Sequence, residues 1–373
     1  MKKLFLSALT ATLLVGGLTT LTACGGRNAE LALITDVGDV DDESFNQASW
    51  EALKDYAIAN EKTYEYYRPT EDSTDARVKS IKQAIKRGAK VVVCPGYLFE
   101  TAIYQVQDEY PDVKFLLLDG EPHTEDYGTY KTADNTANVL FQEHVSGYLA
   151  GYAAVVDGYR NLGFCGGMAV PAVQRFGSGY IQGIDAAAKE LNVQVAVNYY
   201  YAGAFAATDE ATAKMKEWYK GNTEVVFACG GKVYQSVVEG VKERADGKWI
   251  GVDVDQVTVD PDRIITSATK GLRESVTSAL ELFYEGKWSE IGGATANLGL
   301  GSKFGSLEER NYVGLPTADR SWKFKSYKKE DYEKLVADIA SGKVTVNGDV
   351  SAAPAVDAEH TTVNYISSFA PAQ

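Results

Sequence analysis

The chain has 373 residues, 45% hydrophobic and 24% charged, which suits a folded protein of two domains and excludes a disordered, collagen-like or multi-span membrane chain. Acidic residues outnumber basic ones by 51 to 37, for a net charge of −14. That balance repels phosphate backbones and anionic lipid, so neither nucleic-acid binding nor a basic membrane patch is expected.

Lys2 and Lys3 precede an uncharged run from Leu4 to Ala23, and Cys24-Gly25-Gly26 follows. A basic start, an apolar stretch and a small residue before the cut are the parts of a secretory signal. The run is also about long enough to span a bilayer, but Gly16, Gly17 and its threonines weaken that reading. Leu21-Thr22-Ala23-Cys24 resembles the bacterial lipobox, whose cysteine is diacylated and becomes the mature N-terminus. Residues 1–23 are thus expected to be a signal peptide and 24–30 a lipidated linker, with the rest of the chain held at the extracytoplasmic face of the membrane.

Short apolar runs then recur at 31–35, 91–93, 115–118, 162–164, 193–197, 225–228 and 249–252. Continuous rather than alternating runs indicate strands buried on both faces, as in parallel sheets. Helical segments are expected between them at 43–60, 74–87, 138–156 and 180–191, giving an α/β fold of βαβ units. The two halves share a layout. Cys94 and Asp119 stand 25 positions apart, and Cys229 and Asp253 stand 24 apart, each pair marking consecutive strand ends. A duplicated lobe follows, with 31–142 plus about 265–305 in the first lobe and 143–264 plus about 306–373 in the second. A strand at 263–269 and a helix at 272–284 are expected to cross between lobes, and the glycine-rich 292–305 with a late helix at 329–341 to return across the hinge. Cys94, Cys165 and Cys229 each end an apolar run and are expected to pack as small hydrophobes, without a functional disulfide.

Ligands of open α/β sheets bind outside the carboxyl ends of the strands, and two facing lobes bring two such edges to one cleft. Those edges here carry Asp36, Gly96, Asp119, Gly166, Gly230 and Asp253. Asp119 and Asp253 either accept paired hydroxyls, as on a ribose, or cap the next helix. Asp36, Asp39, Asp41, Asp42 and Glu43 crowd one loop, but the spacing of a calcium loop is missing. Ser44 is expected to cap a helix there, with Ser44-x-x-Gln47 as a capping box. That geometry sends Phe45 and Asn46 to the cleft, a stacking face and an amide suited to a heterocyclic base, with a core role for Phe45 the alternative. Phe205 is expected to open a helix in the second half, with Phe176 as its rival. Gly230-Gly231 allows close backbone approach, and Lys270 either reaches the cleft floor or is solvated. His123, His144 and His360 lie far apart, no G-x-S-x-G elbow or nucleotide loop is present, and neither an enzyme, a metal nor a cofactor is indicated.

LALITDVGDVDDESFNQASWEAL closely resembles the opening signature of the basic membrane protein family of lipoproteins, and the likeness continues through RGAKVVVCPG, VKFLLLDG, NVLFQEHVSGYLAGYAAV, VQRFGSGYIQGI, VVFACGG, IGVDVDQ and TSATKGL. The resemblance implies a type I periplasmic-binding-protein fold and capture of purine nucleosides for an ABC importer, with permease and ATPase subunits as partners. It also implies purine stacking by Phe45 and Phe205 and a base contact from Asn46. Asp119, Asp253 and Lys270 would surround base or ribose, with Asp36 and Gly230 lining the cleft. A sugar-binding protein on the same scaffold and a metal-dependent nucleoside hydrolase are the alternatives.

Overall fold

The computed structural model describes residues 28–36 and 38–370. The expected signal peptide 1–23, Cys24 and most of the linker lie outside them. In chain order the first part runs β1 (Leu31–Ile34), α1 (Phe45–Ala59), β2 (Tyr64–Tyr67), α2 (Thr74–Lys86), β3 (Val91–Pro95), α3 (Glu100–Val106), β4 (Lys114–Leu118) and β5 (Thr136–Phe141). Next come α4 (Glu143–Val156), β6 (Asn161–Gly166), α5 (Pro171–Leu191), β7 (Val195–Tyr201), α6 (Asp209–Lys220), β8 (Val225–Cys229), α7 (Tyr234–Gly240) and β9 (Lys248–Asp253). The chain continues through β10 (Ile264–Lys270), α8 (Leu272–Tyr284), β11 (Ala294–Leu298), β12 (Val313–Gly314), α9 (Lys329–Ala340) and β13 (Thr361–Tyr365).

These strands form a six-stranded sheet in the order β11-β5-β4-β3-β1-β2 and a seven-stranded sheet in the order β12-β10-β9-β8-β6-β7-β13. All pairings are parallel except β10 with β12. Because side chains alternate across a strand, each sheet feeds two core layers. In the first lobe Leu33, Val93 and Leu116 face Ala52 and Leu53 of α1, while Ile34, Cys94 and Phe115 face Ile81 of α2 and Ile103 of α3. In the second lobe Phe164 and Phe227 face Ile181 and Ile184 of α5, and Cys165, Val226 and Trp249 face Met215 and Val237 on the other side. Cys94, Cys165 and Cys229 are buried strand residues.

Several expectations change, among them the helix expected at 180–191, which already starts at Pro171. The boundary near 265 moves, because Ile264–Thr269 pairs parallel with Trp249–Asp253, with one irregularity between Ile264 and Thr266, and so belongs to the second sheet; the crossing begins only at Gly271. The helix expected from 138 starts at Glu143, since Thr136–Phe141 is an apolar strand held between β4 and β11. Phe205 lies in a loop, and the helix after it starts at Asp209, where the Thr208 side chain accepts a hydrogen bond from the Ala211 amide.

Three segments cross between lobes and hydrogen-bond to one another. The Gln142 amide donates to Leu298 O at 2.9 Å, Gly271 to Tyr312 O at 2.7 Å, and Tyr312 to Gly299 O at 2.8 Å. The Ser146 hydroxyl on α4 lies 2.9 and 2.8 Å from the carbonyls of Thr269 and Gly314 and shares its one proton between them, tying that helix to the ends of β10 and β12 beside the crossings.

Helices α4 and α5 meet backbone to backbone. Glycines four apart on each (Gly147 and Gly151; Gly179 and Gly183) lie on the contact, and a Cβ on Gly179 would stand 1.9 Å from the His144 carbonyl oxygen. Such an overlap can be relieved only by moving a helix, and overpacking of this kind costs ~1–3 kcal/mol. Gly179→Ala should therefore lower unfolding free energy by about that amount in urea, whereas equal stability would mean that the helices are free to separate.

Candidate functional site

The two sheets turn their carboxyl edges toward one cavity of about 530 Å³. Asp36, Phe45, Asn46 and Asp119 line it from the first lobe, and Phe205, Gly230, Asp253 and Lys270 from the second. All eight sequence-derived positions thus share one cleft. The lobes contribute matching geometry. Asp119 directly follows β4 with φ 58°, and Asp253 ends β9 with φ 65°, both in the left-handed region that non-glycine residues seldom occupy. Gly96 after β3 and Gly230 after β8 sit at φ 116° and 126°, each opening a short turn into a helix.

The acidic loop is built differently from the expected cap. Asp42, not Ser44, caps α1: its carboxylate accepts from the amides of Ser44, Asn46 and Gln47 at 2.9–3.0 Å. This frees the Ser44 hydroxyl to cross the cleft and donate to Asp253 Oδ2 at 2.5 Å. Asn46 is 3% exposed, and its amide nitrogen bridges Asp36 Oδ1 and Asp42 Oδ2 at 2.9 and 3.1 Å. It fixes two carboxylates of the wall as well as lining the cavity. Burial raises the pKa of Asp36, only partly offset by the Gly38 amide and Asn46, and pushes Asp42 up to about 6 against its three amide donors. Two further acids of the loop have cationic partners: Asp39 pairs with Arg68 at 2.9 Å and Asp41 with Lys232, across the cleft, at 2.6 Å. Among the described residues no group of His, Cys, Asp and Glu is arranged to hold a metal ion.

Lys270 settles between its two expected readings. Its side chain is 2% exposed and forms the cleft floor, paired with Asp119 of the first lobe and 3.6 Å from Asp253 Oδ1. The Phe45 ring centroid is 4.6 Å from its ammonium, and the rings of Phe141 and Phe176 are at 5.6 Å, distances at which the negative ring faces attract a cation. Burial alone would lower the Lys270 pKa, but Asp119, Asp253 and Glu143 together raise it, so the ammonium stays charged. Phe176 is in the cleft wall but almost wholly buried, and Phe205 is the more open second-lobe ring. That ring lies over Gly167 and Gly230, where added Cβ atoms would stand 2.6 and 3.1 Å from it, so the glycines form its cradle.

Sequence reasoning missed Asp42 as the cap, Ser44 as a cleft bridge, Gln256, and the pair Glu143–Arg175. Gln256 donates from Nε2 to the Glu43 carbonyl at 2.8 Å, adding another bond between the lobes. The signals were present in FQEH and VQRF, but only the fold brings these segments together.

Burial pushes Asp119 up to about 7 despite the opposing pull of Lys270, with Glu143 adding to the rise. The usual carboxyl value of ~3.9 applies to the unfolded chain, so the folded state holds this proton more tightly. The stability that protonated Asp119 contributes is complete below about pH 4 and is lost as pH rises through about 7. Asp119→Asn cannot ionise, so the stability of the wild type relative to this variant should fall between pH 4 and 7.5 in urea unfolding. A constant difference would remove the excess buried charge from the account.

Two duplicated α/β lobes, joined by three crossings and lining one cleft from both sides, define a type I solute-binding protein. Residues 29–344 match the family described as ABC transporter substrate-binding protein, PnrA-like (Bmp), and the chain belongs to that family. A Lactococcus lactis protein named ABC transporter nucleoside-binding protein BmpA is 27% identical over 336 residues, covering 84% of this chain and 88% of its own. An uncharacterised lipoprotein of Pyrococcus horikoshii is 27% identical over 341 residues, covering 88% and 78%. Among solved structures, a solute-binding protein of an ABC transporter system from Aeropyrum pernix superposes with a TM-score of 0.66 at 22% identity, covering 85% of this chain and 87% of that one. As an ABC transporter substrate-binding protein, this chain works with permease and ATPase subunits. Among the described residues no helix is long and apolar enough to cross a membrane.

Proposed function

We propose that the protein captures purine nucleosides such as guanosine, adenosine and inosine and delivers them to an ABC importer, held at the extracytoplasmic face of the membrane by lipid on Cys24. It performs no chemistry on the ligand. The carrying observation is the cleft lining, with one aromatic ring from each lobe (Phe45 and Phe205) and strand-end carboxylates around a single buried ammonium. Six carboxylates line the cavity (Asp36, Asp39, Asp42, Asp72, Asp119 and Asp253) against three cations (Arg68, Lys232 and Lys270). That surplus favours an uncharged ligand with hydrogen-bond donors and disfavours a phosphate. The cavity volume lies within the ~300–1,000 Å³ of small-molecule sites. The nucleoside-binding name of the Lactococcus relative supports the same class. Cys24 as the anchor rests on the lipobox-like Leu21–Cys24 and on the lipoprotein name of the Pyrococcus relative.

The test is calorimetric titration of signal-free protein, stripped of ligand by unfolding and refolding, with guanosine, adenosine, inosine, cytidine, ribose and a purine monophosphate. Saturable purine nucleoside binding, with ribose and the monophosphate much weaker, is the expected result. Ribose binding as tightly as a nucleoside would turn the site into a sugar site, and silence across the panel would remove the proposal. For the anchor, the full-length protein should partition into detergent and Cys24→Ala should not.

A further inference from the structure

Lys270 has more carboxylate around it than one ammonium neutralises, and the surplus is met behind the cleft wall. Glu143, the first residue of α4 after the Gln142 crossing, places Oε1 3.5 Å from the Lys270 ammonium and is itself 0% exposed. Arg175 on α5 donates from Nε to Glu143 Oε2 at 2.6 Å. Neither residue lines the cavity. The cluster therefore holds three carboxylates (Asp119, Glu143 and Asp253) and two cations, one negative charge in excess. Two of its buried oxygens lack a hydrogen-bond partner, Asp119 Oδ1 and Glu143 Oε1. The second faces Lys270 from just beyond hydrogen-bond reach, so a small movement of the ammonium would pair it and loosen Asp119.

We propose that Glu143 and Arg175 are positioning residues of the cleft floor, with Arg175 neutralising Glu143 so that Lys270 is presented to Asp119 and Asp253 and one Asp119 oxygen is left without a partner. The inference rests on the cleft being the nucleoside site. Asp119 belongs to the first lobe and Lys270, Glu143 and Arg175 to the second, so the pair also governs how firmly the second lobe grips the first. Without Arg175, Glu143 becomes an uncompensated buried charge whose nearest cation is Lys270, and the ammonium is drawn back toward α4. Without Glu143, Lys270 is shared by two carboxylates only. The groups facing Asp119 are Lys270 from β10, Glu143 from α4 and Arg175 from α5. Lys270 in turn faces Asp253 from β9. His144, beside Glu143, is kept neutral because burial lowers its pKa.

The two truncations accordingly act in opposite directions, which a merely structural role would not produce. In ligand-free, signal-free protein, the Asp119 carboxyl is followed by carbon-13 NMR across pH, its signal assigned with Asp119→Asn. Arg175→Met should raise its midpoint by about one pH unit, Glu143→Gln should lower it by a similar amount, and the double variant should return near wild type. In calorimetry at pH 7, Arg175→Met should weaken guanosine binding about tenfold or more, and Arg175→Lys should restore most of it. Midpoints that move together, or do not move, overturn the proposal. Opposite shifts in a protein that binds no nucleoside uphold the positioning pair and reject the ligand class. Should Arg175→Met not fold, Glu143→Gln decides alone: a lowered midpoint supports the pair, and an unchanged or raised one rejects it.

Discussion

Lys270→Met should abolish measurable nucleoside binding and lower stability by ~3–5 kcal/mol, the cost of removing one partner from a buried ion pair. The reason is the company Lys270 keeps. It is the cleft cation nearest to Asp119, Asp253 and Glu143, and methionine leaves those three carboxylates with only Arg175. The lost pair with Asp119 also runs between lobes, so its absence favours an open arrangement as well as a less stable one. Small-angle scattering of the variant should give a larger radius of gyration than wild type under the same conditions. Asp119→Asn in the Lys270→Met background removes one surplus charge and should recover part of the stability, because a neutral pair suits a buried site better than an unpaired charge. Affinity should not return with it, since the amide lacks the carboxylate that the ligand's donors would meet. A Lys270→Met protein as stable as wild type would mean that water reaches the floor of the cleft and screens the cluster.

The floor was only half legible in the sequence, for a physical reason. Strand-end residues announce themselves: continuous apolar runs such as VVVCPG and FLLLDG mark where a parallel strand stops, and the sheet edge is where a ligand meets the chain. Asp119, Gly96, Gly230 and Asp253 were readable on that ground. Phe45 and Asn46 followed from a helix starting just after an acidic loop. Ser44 was misread because a serine before a helix has the right chemistry to cap it. Asp42, two residues earlier, also reaches the helix amides, and only the approach of Asp253 decides between them. Glu143 was hidden because NVLFQEHVSG carries apolar residues that serve a strand as well as a helix. The break between β5 and α4 is set by pairing with β11, more than 150 residues away. Edge strands such as β2 and β13 were invisible, since TYEYY and TTVNYI lack the continuous apolar run of a central strand. The Lys270 assignment shows the same limit. Its neighbours in SATKGL do not reveal burial, and the choice between cleft floor and solvent is made only by β10 lying beside β9 with three carboxylates around its end.

Phe45→Ala should weaken purine nucleoside binding by about two orders of magnitude while leaving the fold intact. Two contributions vanish together. Base–aromatic stacking is worth ~1–3 kcal/mol, and the attraction between the ring face and the Lys270 ammonium, 4.6 Å from its centroid, is worth ~0.5–2 kcal/mol. The second term acts indirectly, since the ring helps hold the ammonium over the floor. Phe45→Leu keeps apolar volume without a π face and should lose nearly as much affinity, whereas Phe45→Trp should retain most of it. Ribose discriminates between the readings of the cleft: if the ring stacks on a base, the small affinity for ribose alone should be almost unaffected by Phe45→Ala. Phe45 is only half-buried and packs against the core from its edge, so unfolding free energy should fall far less than the ~3–5 kcal/mol of a fully buried Phe→Ala change. A variant that binds guanosine as wild type does would return Phe45 to a packing role and leave Phe205, cradled on Gly167 and Gly230, as the remaining aromatic face proposed for the base.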